Sequence, residues 1–438
     1  MPSKKVQAHP LPFLSRVPFQ GGFEMNIHFR RLLMTTSILL VLLVHSAAHA
    51  LSGSGAISLT FNTSSRAEGM GGAGVAMAWD ANTNHWANPA LLAFRPGIQY
   101  LDFSSNPAGD LDEDILLTSK ELTLGAYGVT LLLAGGLADG VYLDMGSQQG
   151  TDENGNPTGE FNTYMKSEHW GLGADFVQLA EIIWGKEKGT WTRNWAFSGG
   201  YVWKDFEDSL SPDPYGDGGN ASGTGQASDW GLLLRYTPFH LGLEKGLKDG
   251  ATVGFEAGIA LGYSVLNSTD QFIKHTDADQ SDPFPTMHVY GTSLRCAFPL
   301  IDSKREQLDA KGWGILGDMI NPLFSFAVSF QNIQPGFVWD SEQQDYTYEW
   351  DTSGSNDETG YGLEVGLANI LYYRWGHKSA NYADVDDSTQ GFGVNLQAGR
   401  LGGARYDWAS TPHGEGLSNI TSRTWSFWVD PVAMIEAW

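Results

Sequence analysis

From about Gly97 onward, hydrophobic and polar positions alternate with a period of two. Val253, Phe255, Ala257, Ile259, Leu261, Tyr263 and Val265 share one face, and Thr252, Gly254, Glu256, Gly258, Ala260, Gly262 and Ser264 the other. Phe324, Phe326, Val328 and Phe330 oppose Ser325, Ala327, Ser329 and Gln331. Tyr361, Leu363, Val365, Leu367, Leu371, Tyr373 and Trp375 oppose Gly362, Glu364, Gly366 and Arg374. Phe392, Val394, Leu396 and Ala398 oppose Gly393, Asn395, Gln397 and Gly399, and 195–203 places aromatics or glycines at odd positions. Weaker runs lie at 168–177, 230–237, 287–298, 404–409 and 423–430, and further strands are expected near 97–104, 119–133 and 141–147. Such alternation predicts strands with one apolar and one polar face.

Two architectures use such strands. A soluble sandwich turns the apolar face to a core, with strands of about 5–6 residues. A membrane barrel turns it to lipid and needs about 9–11 residues per crossing. Several runs here have the second length. Aromatics also mark the ends of apolar faces: Trp195 with Trp203, Trp230 with Tyr236, Tyr361 with Tyr373 and Trp375. Trp and Tyr prefer the headgroup level, so a barrel explains that separation. The opposite faces are rich in Gly, Ser and Ala, as a crowded lumen requires. The chain is therefore expected to be all-β, a transmembrane antiparallel β-barrel.

Segments 204–229, 267–284, 338–360 and 376–390 are read as long polar loops and Gly399 to Gly403 as a short turn, the outer-membrane pattern. The loops collect acids such as Asp205, Glu207, Asp208, Asp282, Asp357 and Asp386. They explain why 50 acids outnumber 26 Lys and Arg, giving a net charge of −24. That balance argues against nucleic acid as a partner, because phosphates need a basic surface. The break in alternation at 302–318 predicts a short helix. Pro431 interrupts the last strand and bends the final residues, which end in Trp438, away.

Cys296 is the single cysteine, which excludes an intrachain disulfide and any multi-cysteine metal site. No nucleophile elbow, zincin or phosphate-loop motif is present, so an enzyme is not expected. His85 and His169 lack catalytic partners and are read as structural histidines. Asp152–Asn156 with Glu160 spaces oxygens like a calcium loop, but Pro157 replaces the required glycine, and a solvated turn is the better reading. No metal or cofactor is expected.

The N-terminus carries a targeting pattern. Arg30-Arg31, the apolar run Leu32 to Val44 and Ala48-His49-Ala50 make 25–50 a signal peptide. Residues 1–24 lack that logic, which points to Met25 as the true start. Next comes the segment 51–96. It contains Ser65-Arg66-Ala67-Glu68-Gly69-Met70-Gly71-Gly72-Ala73-Gly74-Val75-Ala76, then Asp80, then Asn88-Pro89-Ala90. Small residues at this density let backbone pass close to backbone. Asn88-Pro89 is a helix-start signal for Ala90 to Phe94.

Arg66 to Ala76, Asp80 and Asn88 to Ala90 together resemble the N-terminal signature of the PorV/PorQ group of outer-membrane proteins and, more distantly, of the FadL-type transporters. Trp79-Asp80 departs from the two adjacent acids common in the family. The resemblance and the run count imply about 14 strands, with 97–438 as the barrel and 51–96 as a lumenal plug carrying Arg66, Gly69, Met70, Gly71, Gly72, Asp80, Asn88 and Pro89. It implies the outer membrane, its lipid as partner, and a role in type 9-like handling of secreted proteins alongside other secretion components. The alternative is FadL-like passage of hydrophobic small molecules. Asp175, Arg235, Glu256, Arg295, Glu364 and Arg374 fall on polar faces and are expected in the lumen, where Arg66 or Asp80 would pair with them.

Overall fold

A computed structural model describes residues 55–437 apart from 81–82, 109–113, 136–137, 152–156, 188, 213–219, 244–251, 270, 276–280, 302–320, 337, 341–344, 348–356, 381–384, 399–400 and 413–418. The signal peptide, the extension before it, the helix expected at 302–318, the calcium-like Asp152–Asn156 and Trp438 lie outside the described residues.

Fourteen staves close an antiparallel barrel among the described residues. They begin with β1 (Gly97–Ser105) and β2 (Leu116–Ala126). The third stave is broken into β3 (Val129–Ala134) and β4 (Gly140–Thr151). Next come β5 (Pro157–Asp175), β6 (Trp195–Pro212), β7 (Asn220–Leu243) and β8 (Thr252–Ser268). A hairpin of β9 (Phe272–His275) and β10 (Ser281–Pro283) precedes β11 (Met287–Phe298), which β12 (Leu300–Ile301) prolongs. After β13 (Phe324–Pro335), β14 (Val338–Asp340) and β15 (Asp345–Thr347) form a separate ribbon. The rest are β16 (Glu358–Leu367), β17 (Leu371–Ala380), β18 (Val385–Gln397), β19 (Gly402–Thr411) and β20 (Ile420–Val429). Closure is made by β20 on β1, in register from Ile98↔Val429 to Ser105↔Ser422.

The apolar faces point outward. Leu124, Leu131, Leu172, Phe197, Leu232, Leu261, Leu294 and Phe326 are all exposed, as lipid-facing residues must be in an isolated barrel. Aromatic pairs border this band. Trp195 and Tyr236 stack at 4.0 Å at one edge, and Trp230 meets Tyr263 at 5.5 Å at the other. Trp195 and Trp203 stand eight residues apart, roughly 27 Å along the strand and about 20 Å along the membrane normal after tilting. The barrel with this belt is an outer-membrane protein.

The connections differ from the expected loops. The β6–β7 ladder continues to Pro212↔Asn220, so most of 204–229 is strand rather than loop. Likewise β17 and β18 pair out to Ala380↔Val385. Alternation of facing persists there, but the outward face is now charged: Asp205 and Glu207 face out, while Lys204, Phe206 and Asp208 are buried inside. Above the lipid, water replaces the tails, and the outward face no longer needs to be apolar. At the opposite end the connections at 127–128, 368–370 and 398–401 are short, whereas those at 176–194, 244–251 and 302–323 are long and depart from the expected pattern. The strand expected near 119–133 is in fact β2 and β3, joined through Tyr127 and Gly128 with φ of 54° and 79°, the two-residue turn that suits hairpin twist.

The run at 168–177 ends as a strand at Asp175 and becomes the helix Phe176–Ile183. Asp175 and Gln178 form the cap-and-third-residue pair of a helix start, and Asp175 Oδ1 accepts from Val177 N at 3.0 Å. Its Phe176 ring lies 3.1 Å from the position of a Cβ on Gly199, on the outer wall. Ile182, Ile183 and Trp184 stay exposed beside it, an apolar face placed at the bilayer interface. The buried Glu181 carboxylate ties the helix to the turn before β6 by accepting from Thr192 N at 2.7 Å and Thr192 Oγ1 at 2.9 Å.

Candidate functional site: a filled lumen

The described residues from Thr63 to Phe94, 63–80 and 83–94, run inside the barrel, and inward glycines on successive staves make room for them. Gly173, Gly200 and Gly231 are neighbours in register, as are Gly262 and Gly291, and Gly362 and Gly376. A Cβ on Gly200 would overlap the Pro89 carbonyl, one on Gly231 the Asn88 side chain, and one on Gly262 the Val75 carbonyl. On Gly362 it would sit 2.5 Å from Met70 Cβ. Where the belt lacks glycine it offers acceptors. Gln331 Oε1 receives Gly74 N at 3.0 Å and Val75 N at 2.8 Å, and Thr389 Oγ1 receives Gly71 N at 2.9 Å. Ser264 Oγ donates to the Ala87 carbonyl at 2.6 Å. These bonds satisfy backbone groups that no ladder reaches.

The signature residues each take part. Met70 is fully buried against Gly362 and Gly376. Gly69 lies against Gly391, where a Cβ would meet Cα at 3.1 Å. Gly71 and Gly72 have φ of 70° and 83°, the left-handed region that side chains disfavour. Asn88 caps the 3-10 helix Pro89–Phe94 by accepting from Ala90 N at 3.0 Å, while its amide donates to Val75 O at 3.0 Å and Leu232 O at 3.1 Å. One side chain thus binds the helix start to the preceding chain and to the wall.

A Gly200→Val variant is expected to lose about 1–3 kcal/mol by overpacking, because Pro89 has no free space to retreat into. A lowered urea midpoint checks this, and an unchanged midpoint would show that Pro89 is free to move.

Charge is concentrated in two buried clusters. In the first, Arg66 forks onto Glu364, with Nη2 to Oε1 at 2.7 Å and Nε to Oε2 at 2.9 Å, and its Nη1 reaches Asp80 at 2.7 Å. Arg374 donates to Glu364 at 2.8 Å and pairs with Asp407 at 2.7 Å. Arg405 holds Asp407 at 2.8 Å, reaches Asp80 at 3.4 Å, and lies 4.6 Å from the Tyr372 ring. Three guanidiniums and three carboxylates therefore balance in one network joining the lumenal segment to β16, β17 and β19.

In the second, Arg95 pairs with Glu121 at 2.9 Å, Trp86 Nε1 also donates to Glu121, and Lys204 pairs with Asp229 at 2.8 Å. His85 and His169 flank the Trp86 ring at 4.9 and 4.4 Å. Ser167 Oγ bonds the His169 Nε2 at 2.7 Å. His85 lies on the internal segment with its Nδ1 3.4 Å from Glu121 Oε2, and among the described residues no acid lies within ion-pair distance of the His169 ring.

The remaining predicted charges separate. Asp175 caps the outer helix instead of joining a network. Arg235 donates to Ala78 O at 2.7 Å, and Glu256 and Arg295 line a cavity with it. Arg405, Asp407, Arg95, Glu121, Lys204 and Asp229 were absent from the sequence-based set. The signal existed for Arg405 and Asp407, two positions apart on the polar face of 404–409. Among the described residues no group of His, Cys, Asp and Glu is arranged to hold a metal ion.

No protein-family model and no curated protein matches the chain. Solved structures similar to it include the Ralstonia pickettii toluene transporter TbuX, at 11% identity and a TM-score of 0.35, covering 84% of this chain and 98% of that one. The Pseudomonas putida toluene transporter TodX is similar at 14% and 0.32, covering 87% and 98%. A Pseudomonas aeruginosa FadL homologue is similar at 12% and 0.29, covering 88% and 98%.

Proposed function

We propose that this protein passes small hydrophobic molecules across the outer membrane, by a path that runs from the loop end into the lumen and leaves sideways through the wall. The carrying observation is the broken third stave. Leu133 and Gly140, seven positions apart, face Leu122 and Lys120 of β2, only two apart. On the other side Ala134 and Val141 face His169 and Ser167 of β5, again two apart. The stave therefore carries five residues more than the ladders need between Ala134 and Gly140, and Glu121 of β2 and Glu168 of β5 have no ladder partner on it.

The lumen just above this break is apolar. Leu101, Phe103, Leu117, Val141, Leu143 and Phe206 point inward and pack together. Water-filled channels keep a polar interior, so this lining disfavours ions and sugars and favours apolar solutes at about 25 cal/mol per Å² of surface removed from water. Straight passage is obstructed by the buried segment 63–94. Ala56 and Leu59 also pack in the apolar cluster, so the stretch that leads into the segment must yield for a solute to enter. The handling of secreted proteins implied by the signature rests on that signature alone.

Cells expressing the protein in an outer membrane without such channels are expected to take up radiolabelled toluene faster, with no gain for a trisaccharide. Equal acceleration of both solutes, or of neither, would overturn the reading.

A further inference from the structure

The turn end of the lumen holds positive charge that neither the buried networks nor the passage route uses. A cavity of about 290 Å³ there is lined by Trp79, Arg193, Arg235, Glu256 and Arg295. A second cavity of about 180 Å³ shares Trp79 and Arg295 and extends to Asp80 and Arg405 of the first network, which are paired with each other. The chain is acidic overall, yet Arg235 and Arg295 face this larger cavity together, beside Arg193 and Glu256, which hold further partners of their own. Like charges facing one cavity raise each other's energy, a cost that an incoming anion removes. Arg235 spends one N–H on the Ala78 carbonyl and lies 4.9 Å from the Phe94 ring. Arg295 has no hydrogen-bond or ion-pair partner among the described residues. Ionisable groups within a membrane-spanning wall are rare, are tolerated where they face a cavity, and commonly mark a ligand site or pathway.

The wall is shaped at this point. The β7–β8 register slips between Tyr236 and Phe239, and Thr237 N turns to the Asn194 carbonyl at 2.7 Å, beside Arg193. Such bulges re-aim side chains at barrel rims. Trp79 is held by a 2.9 Å bond from its Nε1 to Ser293 Oγ, so an indole face and guanidinium forks line one space.

We propose that this cavity is a binding site for an oxyanion, a carboxylate or phosphate group, held by Arg235 and Arg295 with Trp79 beside the rest of the molecule. Guanidinium forks match both groups by paired N–H donation. The site does not depend on the sideways route, because it lies at the opposite end of the lumen from the apolar cluster and is tested by binding alone.

The test is calorimetric titration of the purified full-length protein in a zwitterionic detergent at low salt, with benzoate, inorganic phosphate and the neutral benzyl alcohol as probes. Saturable binding of benzoate or phosphate is expected, weakening as salt rises, with no saturable heat from benzyl alcohol. Benzoate binding alone identifies an organic acid, and phosphate binding alone a phosphate group. In R235Q/R295Q the affinity is expected to fall at least tenfold, with unchanged heat-modifiable migration on gels as the sign of an intact barrel. If the double variant does not fold, R295Q alone decides, since that side chain has no described contact to lose. The proposal is overturned if neither anion saturates the wild type, if benzyl alcohol binds as well as the anions do, or if the folded variant binds them as the wild type does.

Discussion

Deleting Gly135–Asp139 is expected to stop the passage of small hydrophobic molecules while leaving the barrel folded. The register argues for both halves of this result. With the five residues gone, Gly140 follows Ala134 directly and comes opposite Glu168, between the existing pairs Ala134↔His169 and Val141↔Ser167. On the other side Ala134 comes opposite Glu121, between Leu133↔Leu122 and Gly140↔Lys120. Both ladders then run unbroken through this point, and every side chain keeps its face, because a strand that heals in register does not exchange inside for outside.

A closed ladder fills the break with hydrogen bonds that lipid cannot replace, so the healed wall is at least as stable as the native one. The route sideways is lost, and the lumen still contains its internal segment. Toluene uptake is therefore expected to drop at least tenfold toward the rate of cells without the protein. Heat-modifiable migration on gels reports the folded barrel. A folded deletion variant that takes up toluene at the wild-type rate would sink the sideways route.

The sequence displayed the barrel for a physical reason. Lipid makes a uniform demand on one face of every stave, and strict alternation records it, as in 324–331 and 361–375. Above the bilayer that demand ends, so the ladder through Asp205 and Glu207 reads as loop although it is strand. The broken stave was hidden because its cause is a mismatch of length with β2 and β5, a property of three strands together. The outer helix was readable in Asp175 and Gln178, yet the residues before it alternate and masked its start.

In the lumen, Arg66, Glu364 and Arg374 were legible as charges on polar faces, but which carboxylate meets which guanidinium depends on stave order around the barrel. Arg95 and Glu121 lie 26 positions apart and are joined only by the path of the internal segment. Inward glycines such as Gly200 and Gly231 marked crowding without naming what crowds them.

Replacing Glu364 by leucine is expected to cost about 3–5 kcal/mol and to loosen the internal segment. Glu364 is 4% exposed and serves both Arg66, through two hydrogen bonds, and Arg374. Removing it leaves three guanidiniums against two carboxylates in a water-poor space, and stripping one partner from a buried pair costs this much because the other charge stays buried. Glu364→Gln keeps the shape and part of the hydrogen bonding but not the charge, so a large loss there as well assigns the effect to charge.

The double change R66M/E364L separates the terms further. It removes opposite charges together and leaves the balanced set Arg374, Arg405, Asp80 and Asp407. Its stability is therefore expected to recover most of the loss seen in E364L, since replacing a buried pair by apolar groups is often neutral. Urea midpoints measure all three variants. Single-channel recordings in planar bilayers add a functional readout: E364L is expected to show larger and more frequent openings to potassium chloride than wild type, because Arg66 no longer anchors the segment to β16. If E364L matches the wild type in both midpoint and conductance, the network does not hold the segment, and the glycine belt and its hydrogen bonds alone retain it.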